Sequence, residues 1–167
     1  MKQHDLFPTA TSPAEITRFQ LTSINGKSAT LPLDLGGFGI SRYELDQFLA
    51  EKARDSGVNI VHEKVVDLRF VEDHFEVETD KNQREVEIVL GAFGKRSIVD
   101  KSLKRDFINK RSPYIGVKYH IRYKRHDDFT VALHNFKGGY CGINRIENDM
   151  FNLCYLGERQ NLKAAGS

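Results

Sequence analysis

Cysteine is scarce in this chain: two among 167 residues, Cys141 and Cys154. Neither a disulfide framework nor a paired zinc spacing can be built from them. A reduced, cytoplasmic setting is therefore expected. Long apolar runs are missing too. None approaches the ~18 residues a membrane helix needs, so no transmembrane segment is expected. The opening MKQHDLFPTATSPAE has no apolar core, so no secretory signal peptide is expected. Charge of one sign is absent: 25 Lys and Arg face 23 Asp and Glu, a net +2. That is too little to argue for nucleic acid. Tryptophan is missing, which excludes nothing. No internal repeat or low-complexity segment occurs.

What remains is ordinary. Hydrophobic residues make up 40% and charged residues 29%, enough for one domain or two intimate lobes. His4, His62, His74, His120, His126 and His134 fall at no metal-ligand spacing, and no metal is expected. KSLKRDFINKR and KYHIRYKRHDD are basic with aromatics nearby. A solvated helix face and a turn explain them, so no nucleic-acid partner is expected.

Residues 1–14 are loose, with Pro8, Pro13 and a TATS cluster. ITRFQLTS and KSATLPLDL flank Asn25-Gly26, a hairpin signal in which both turn residues take positive φ. Gly36, Gly37 and Gly39 form a short flexible bridge. Ser41–Gly57 is the clearest helix. Ser41 and Glu44 make a capping box, Leu45, Phe48, Leu49 and Ala53 recur at helical spacing, and Gly57 ends it. VNIVH (58–62) then reads as a strand.

Lys64–Leu90 alternates with turns at Glu72-Asp73 and DKNQ, an antiparallel meander of three strands. Its last strand empties into VLGAFGKRS. Val99, Leu103 and Phe107 repeat at helical spacing, giving a helix over 97–110 that Pro113 ends. From Tyr114, four runs separated by RHDD, KGG and END form an antiparallel sheet. LGERQNLKAAGS begins a polar helix.

The turn at Gly91, Gly94 and Ser97 permits two readings. A strand opening through glycines into a helix brings N–H groups up to a phosphate, with Ser97 bonding the phosphate or capping the helix. It is equally an ordinary turn with a helix cap. Tyr119, His120, Tyr123, His134, Tyr140 and Cys141 are candidates to line a pocket, although alternate strand residues always yield such a set.

Three segments resemble the flavin-dependent oxidoreductases of the p-hydroxybenzoate hydroxylase fold, in their geranylgeranyl reductase-like branch. GFGISRYELDQFLAEKARDSGVNIVHEKVVDL is similar to that family's stretch "isR..fD..L...A...Gv.i....V..l". VEIVLGAFGKRS is similar to its second flavin motif, "a..vIgAdG.rS". The sheet after Pro113, with GGYCGI, sits where the family's substrate domain begins. The resemblance covers most of residues 16–160.

It implies that Arg42 contacts FAD near the ribose and pyrophosphate, as suits a guanidinium. Val65 would meet the adenine through its backbone. Gly91 and Gly94 would pass close to the pyrophosphate and ribityl chain. Phe93 stands where the family has Asp, removing a carboxylate that orders the loop. The branch's Tyr-x-Trp-x-Phe-Pro cavity motif falls on Tyr140–Arg145, where only Tyr140 agrees. The substrate-binding candidates are then Tyr140, Cys141 and His134.

The family's opening strand–GxGxxG–helix unit, which seats the diphosphate, has no match here; GGFG at 36–39 has the wrong spacing. The expectation is an internal fragment of α/β (α+β) class. Residues 15–35 would be a hairpin of the substrate-domain sheet, 36–112 a partial FAD-binding lobe, and 113–167 a substrate-domain antiparallel sheet, truncated at its end. The parent would use FAD on a small apolar substrate as a monooxygenase or reductase, with NAD(P)H one candidate electron donor. This chain alone would bind FAD weakly or not at all, and would self-associate through exposed edges. The alternative is a non-catalytic binding or interaction module derived from the same fold.

Overall fold

The computed structural model describes residues 5–94, 98–110 and 112–164. By packing, the chain divides into two units. One comprises residues up to 58 together with those from 112 onward; the other is residues 59–111. The helix following Ser41 therefore groups with the first unit, whereas the sequence reading put the division at 36.

In the first unit, strands β1 (Ala14–Thr22) and β2 (Ser28–Gly39) form a hairpin. Strands β6 (Tyr114–Ile121), β7 (Thr130–Phe136), β8 (Gly139–Arg145) and β9 (Phe151–Glu158) complete a six-stranded sheet in the order β2-β1-β7-β8-β9-β6. Helix α3 (Arg159–Ala164) follows β9. All neighbours are antiparallel except β1 and β7, which run parallel in the register Arg18↔Thr130 to Thr22↔His134. The sheet is thus mixed rather than wholly antiparallel. Its core is Ala132, Ile143 and Phe151, with Ile121 and Leu153 packed against them.

Two turns depart from the sequence reading. The β1–β2 connection closes with Ser23 N–H on Lys27 O (2.8 Å) and Gly26 N–H on Ser23 O (3.0 Å). Only Gly26 has positive φ (83°), as in a three-residue loop with a bulged glycine. The doubly left-handed turn lies instead at Asn148 and Asp149 (φ 56° and 54°). The expected flexible bridge is the end of β2, where Gly37 pairs with Ile16 and Gly39 with Ala14.

Helix α1 (Arg42–Asp55) starts on the Ser41 cap, whose side chain accepts from Glu44 N–H at 3.2 Å. The reciprocal partner is not Glu44. Ser41 N–H donates to the buried Glu147 carboxylate at 2.8 Å. The far end closes with Gly57 N–H on Arg54 O and Val58 N–H on Ala53 O, the Schellman pattern.

In the second unit, β3 (Val65–Val71), β4 (His74–Thr79) and β5 (Gln83–Val86) make an antiparallel sheet in chain order. Three expectations fail here. VNIVH is not a strand, because a strand needs ladder partners and none pairs with it among the described residues. The last strand stops at Val86 rather than Leu90. Val86 pairs with Phe75, one residue from the start of β4, so the ladder has no partner left. The helix expected over 97–110 is broken into α2 (Val99–Ser102) and a 3-10 turn (Asp106–Asn109), with Lys104 at φ 50° between. Leu103 and Phe107 of its apolar stripe are exposed. Periodicity without a packed face does not hold a helix.

Among the described residues, no helix is long and apolar enough to cross a membrane. No group of three or more His, Cys, Asp or Glu among them could hold a metal.

Candidate functional site

The glycine turn belongs to the second unit, and its framework is set by an acidic residue that sequence reasoning missed. Glu63 lies just before β3. Its two carboxylate oxygens accept from Arg84 at 2.7 and 3.1 Å, from Thr79 Oγ1 at 2.8 Å and from Asn82 Nδ2 at 2.9 Å. Hydrogen bonds from Arg84 and then Thr79 hold the carboxyl down at about 2, against the opposing pull of desolvation. Lys64 N–H bonds Asp80 at 3.0 Å, and Asp80 N–H bonds Lys64 O at 2.9 Å. Residues 63–64 are thereby tied across the β4–β5 turn. Nothing in "VHEKVV" signals this role; only the meander's folding brings positions 63, 79, 82 and 84 together.

Val65 follows, paired with Thr79. Leu68 and Val77 face each other on the same side. Val65, Leu68 and Val77 line a cavity of about 470 Å³ with Val89, Leu90, Gly91, Ala92, Phe93, Ile98 and Val99, bounded by Glu63 and Lys64. Asp67 accepts from Ser102 Oγ. That bond, with a backbone bond and Arg69 nearby, lowers the Asp67 pKa.

Phe93 occupies the middle of the turn, and its ring folds back over Gly91. A Cβ placed on Gly91 would lie 2.9 Å from Phe93 Cε1 and 3.4 Å from Cζ. A side chain at Gly91 would displace the outer end of the exposed Phe93 ring. Gly94 has φ 68° with open space around it, a left-handed turn position that favours glycine. Ser97 lies outside the described residues.

Arg42 stands in the first unit, at the first position of α1. Its guanidinium is occupied: Nε lies 3.2 Å from both Asp46 oxygens and Nη2 3.0 Å from one. The side chain is 85% exposed, and the Asp46 bond raises its pKa. Two of the three substrate candidates come together. His134 and Cys141 are direct cross-strand partners and share one face of the sheet. His134 Nδ1 lies 2.9 Å from Thr22 Oγ1. Burial, then Cys154, raises the Cys141 thiol pKa, which disfavours the thiolate. Tyr140, adjacent to Cys141, projects to the opposite face. Tyr119 falls on the face of His134 and Cys141, through its pairing with Leu153, and His120 on the other.

A dinucleotide would bring its diphosphate to this turn. A diphosphate needs open backbone N–H groups and fixed cations. The Phe93 ring fills the direction a Gly91 side chain would take, the backbone of 91–94 is exposed, and the adjoining walls are aliphatic with Lys64 at the edge. The exposed backbone of residues 91–94 and Lys64 at the cavity's edge fit a phosphate-bearing group.

No family model matches the chain, and no curated protein matches it. Solved structures do. The chain is similar to a flavoprotein/dehydrogenase from Cytophaga hutchinsonii (15% identity, TM-score 0.73), over 93% of this chain and 42% of that one. It is similar to CmlS, a flavin-dependent halogenase (15%, TM-score 0.75), over 94% and 32%. It is also similar to the 2,6-dihydroxypyridine-3-hydroxylase from Arthrobacter nicotinovorans (15%, TM-score 0.67), over 89% and 41%. A variant of the halogenase PltM, matched at 12% identity and TM-score 0.74, has been solved in complex with FAD. At these identities the likeness shows the fold: a mixed α/β chain matching part of flavoprotein hydroxylases and halogenases. The chain spans between about a third and two-fifths of the length of these neighbours.

Proposed function

We propose that this chain is part of an FAD-dependent oxidoreductase, a monooxygenase or reductase of an apolar substrate, and that it is not catalytically complete by itself. The observation that carries the reading is the match of some nine-tenths of the chain to flavin enzymes spanning more than twice its length. The VLGAFGKRS turn and Arg42 support it by their place in the family pattern. The geranylgeranyl reductase-like branch is the finer form, resting on residues 37–68. NAD(P)H is the proposed electron donor. In flavoenzymes the isoalloxazine carries the redox step and the protein positions it. Here the proposed contacts are Arg42, the Val65 backbone and the Gly91–Gly94 turn with Ser97, while His134 and Cys141 face the substrate. Tyr140 would serve the other face. The diphosphate seat would be a GxGxxG unit outside this chain.

Purified chain is expected to be colourless, and titration with FAD to give no saturable change in the flavin spectrum. Stoichiometric bound flavin would overturn the claim of incompleteness. A second reading is favoured by one observation, the Phe93 ring over Gly91: a non-catalytic binding module derived from this fold. The genomic reading frame separates the two. A GxGxxG unit encoded in frame upstream supports the enzyme; an in-frame stop immediately upstream supports the module.

A further inference from the structure

The connection between β6 and β7 separates its charges in a way the sequence does not show. β9 and β8 stand between β6 and β7 in the sheet, so residues 122–129 cross the ends of both strands. Acidic side chains pin the crossing. Asp127 accepts from Arg18 of β1 at 2.6 Å, and Asp128 from Arg145 of β8 at 3.0 Å. His126 stands edge-on to Phe151 with ring centres 5.7 Å apart, and its Nε2 lies 2.9 Å from Thr130 O. Arg145 also bonds Asp149 of the β8–β9 turn. Both aspartates of RYKRHDD are thus bonded to arginines from other strands, and the basic half of the segment is left over. Arg122, Tyr123 and Lys124 are exposed. Among the described residues, Arg122 and Lys124 have neither an ion pair nor a side-chain hydrogen bond.

These three side chains line a cavity of about 470 Å³ with the Arg145 cluster and Phe151, a size in the range of small-molecule sites. Its carboxylates, Asp128 and Asp149, are already bonded to Arg145. The open donors are the Arg122 guanidinium and the Lys124 ammonium. Two unpaired cations match the double charge that a phosphomonoester carries above about pH 6. The Tyr123 ring offers a stacking surface for a flat group.

We propose that this cavity binds a phosphomonoester of a flat ring, with the phosphate on Arg122 and Lys124 and the ring on Tyr123. The site stands apart from the flavin reading. It lies within the first unit and uses none of the residues proposed to contact flavin or substrate.

The test titrates the 167-residue chain with phenyl phosphate, inorganic phosphate and phenol in a calorimeter. Phenyl phosphate is expected to bind at one site per chain, inorganic phosphate about fivefold more weakly, and phenol not measurably. Arg122→Gln and Lys124→Gln are each expected to weaken both phosphates about threefold, and the double variant about tenfold. Tyr123→Ala should bring phenyl phosphate down to the level of inorganic phosphate and leave inorganic phosphate unchanged. Binding of phenyl phosphate should fall between pH 7 and pH 5 as the phosphate gains its second proton. Far-UV circular dichroism checks that the variants fold. Absence of saturable binding would overturn the proposal, as would loss of inorganic phosphate binding in Tyr123→Ala. So would binding unchanged in the Arg122–Lys124 double variant, which would place the phosphate elsewhere, the 91–94 turn included.

Discussion

Glu63 precedes its strand, yet it joins three positions of the meander, Thr79, Asn82 and Arg84, through one carboxylate. Its folded pKa, about 2, lies below the ordinary 4.5. Such a group contributes stability that is fully present above the unfolded value and is lost as pH falls through the folded one. Wild-type protein should therefore lose thermal stability between about pH 5 and pH 2. Glu63→Gln should be less stable than wild type at neutral pH and flatter across that acid window. Scanning calorimetry of both proteins across the window checks this, and parallel acid limbs would refute it. Single residues were the least legible scale in the sequence. Glu63 carries no local signal, because its partners are set by tertiary folding. Tyr140 is a candidate through the family's cavity motif, but strand alternation sends it and its neighbour Cys141 to opposite faces. Phe93 is visible in the sequence as an anomaly; that its ring takes the Gly91 side-chain direction is set by the fold of the turn.

Helix α1 was legible because its signals are local: a serine cap, apolar spacing and a terminal glycine. Its attachment was not, because Glu147 lies 106 residues from Ser41. Desolvation raises the Glu147 pKa, but bonds from the Ser41 hydroxyl and N–H outweigh it, and the net shift is downward. Gly39 adds a steric lock, since a Cβ there would stand 1.8 Å from Arg145 O. Backbone cannot yield that distance cheaply. Ser41→Ala is expected to cost about 1 kcal/mol, and Glu147→Gln about 1–2 kcal/mol through the lost charged acceptor. Gly39→Ala should cost more than either, roughly 3 kcal/mol or above. Ser41 and Glu147 share a bond, so their double variant should cost less than the sum. Urea unfolding gives the order, and amide exchange in α1 shows whether the helix start is what loosens. The elements that sequence reading overran, β5 and the 97–110 helix, fail for a shared reason. Their residues have the right pattern, but the chain supplies no further ladder partner or packed face.

At the scale of the whole molecule, the hairpin, the meander and the four-stranded run were legible from alternation and turn residues. The parallel β1–β7 pairing was not, because alternation says which face a residue takes and nothing about which strand lies beside it. That pairing places β2 and β6 at the two edges of the sheet. Edge strands with apolar side chains invite association. β2 exposes Leu31 and leaves Leu35 fully accessible, and the second unit exposes Ile88 (77%) and Leu90 (88%). Pro32 lies in β2 opposite Arg18, and it has no N–H to extend a ladder outward. Association at this edge should therefore run through the leucine side chains more than through a new backbone ladder. We predict that the chain self-associates at micromolar concentration, and that Leu31→Lys with Leu35→Lys shifts it toward monomer without loss of β-structure. Multi-angle light scattering behind size exclusion measures both. A wild-type chain that elutes as a clean monomer would refute the prediction. A double variant that associates as strongly as wild type would move the contact to the Ile88–Leu90 segment.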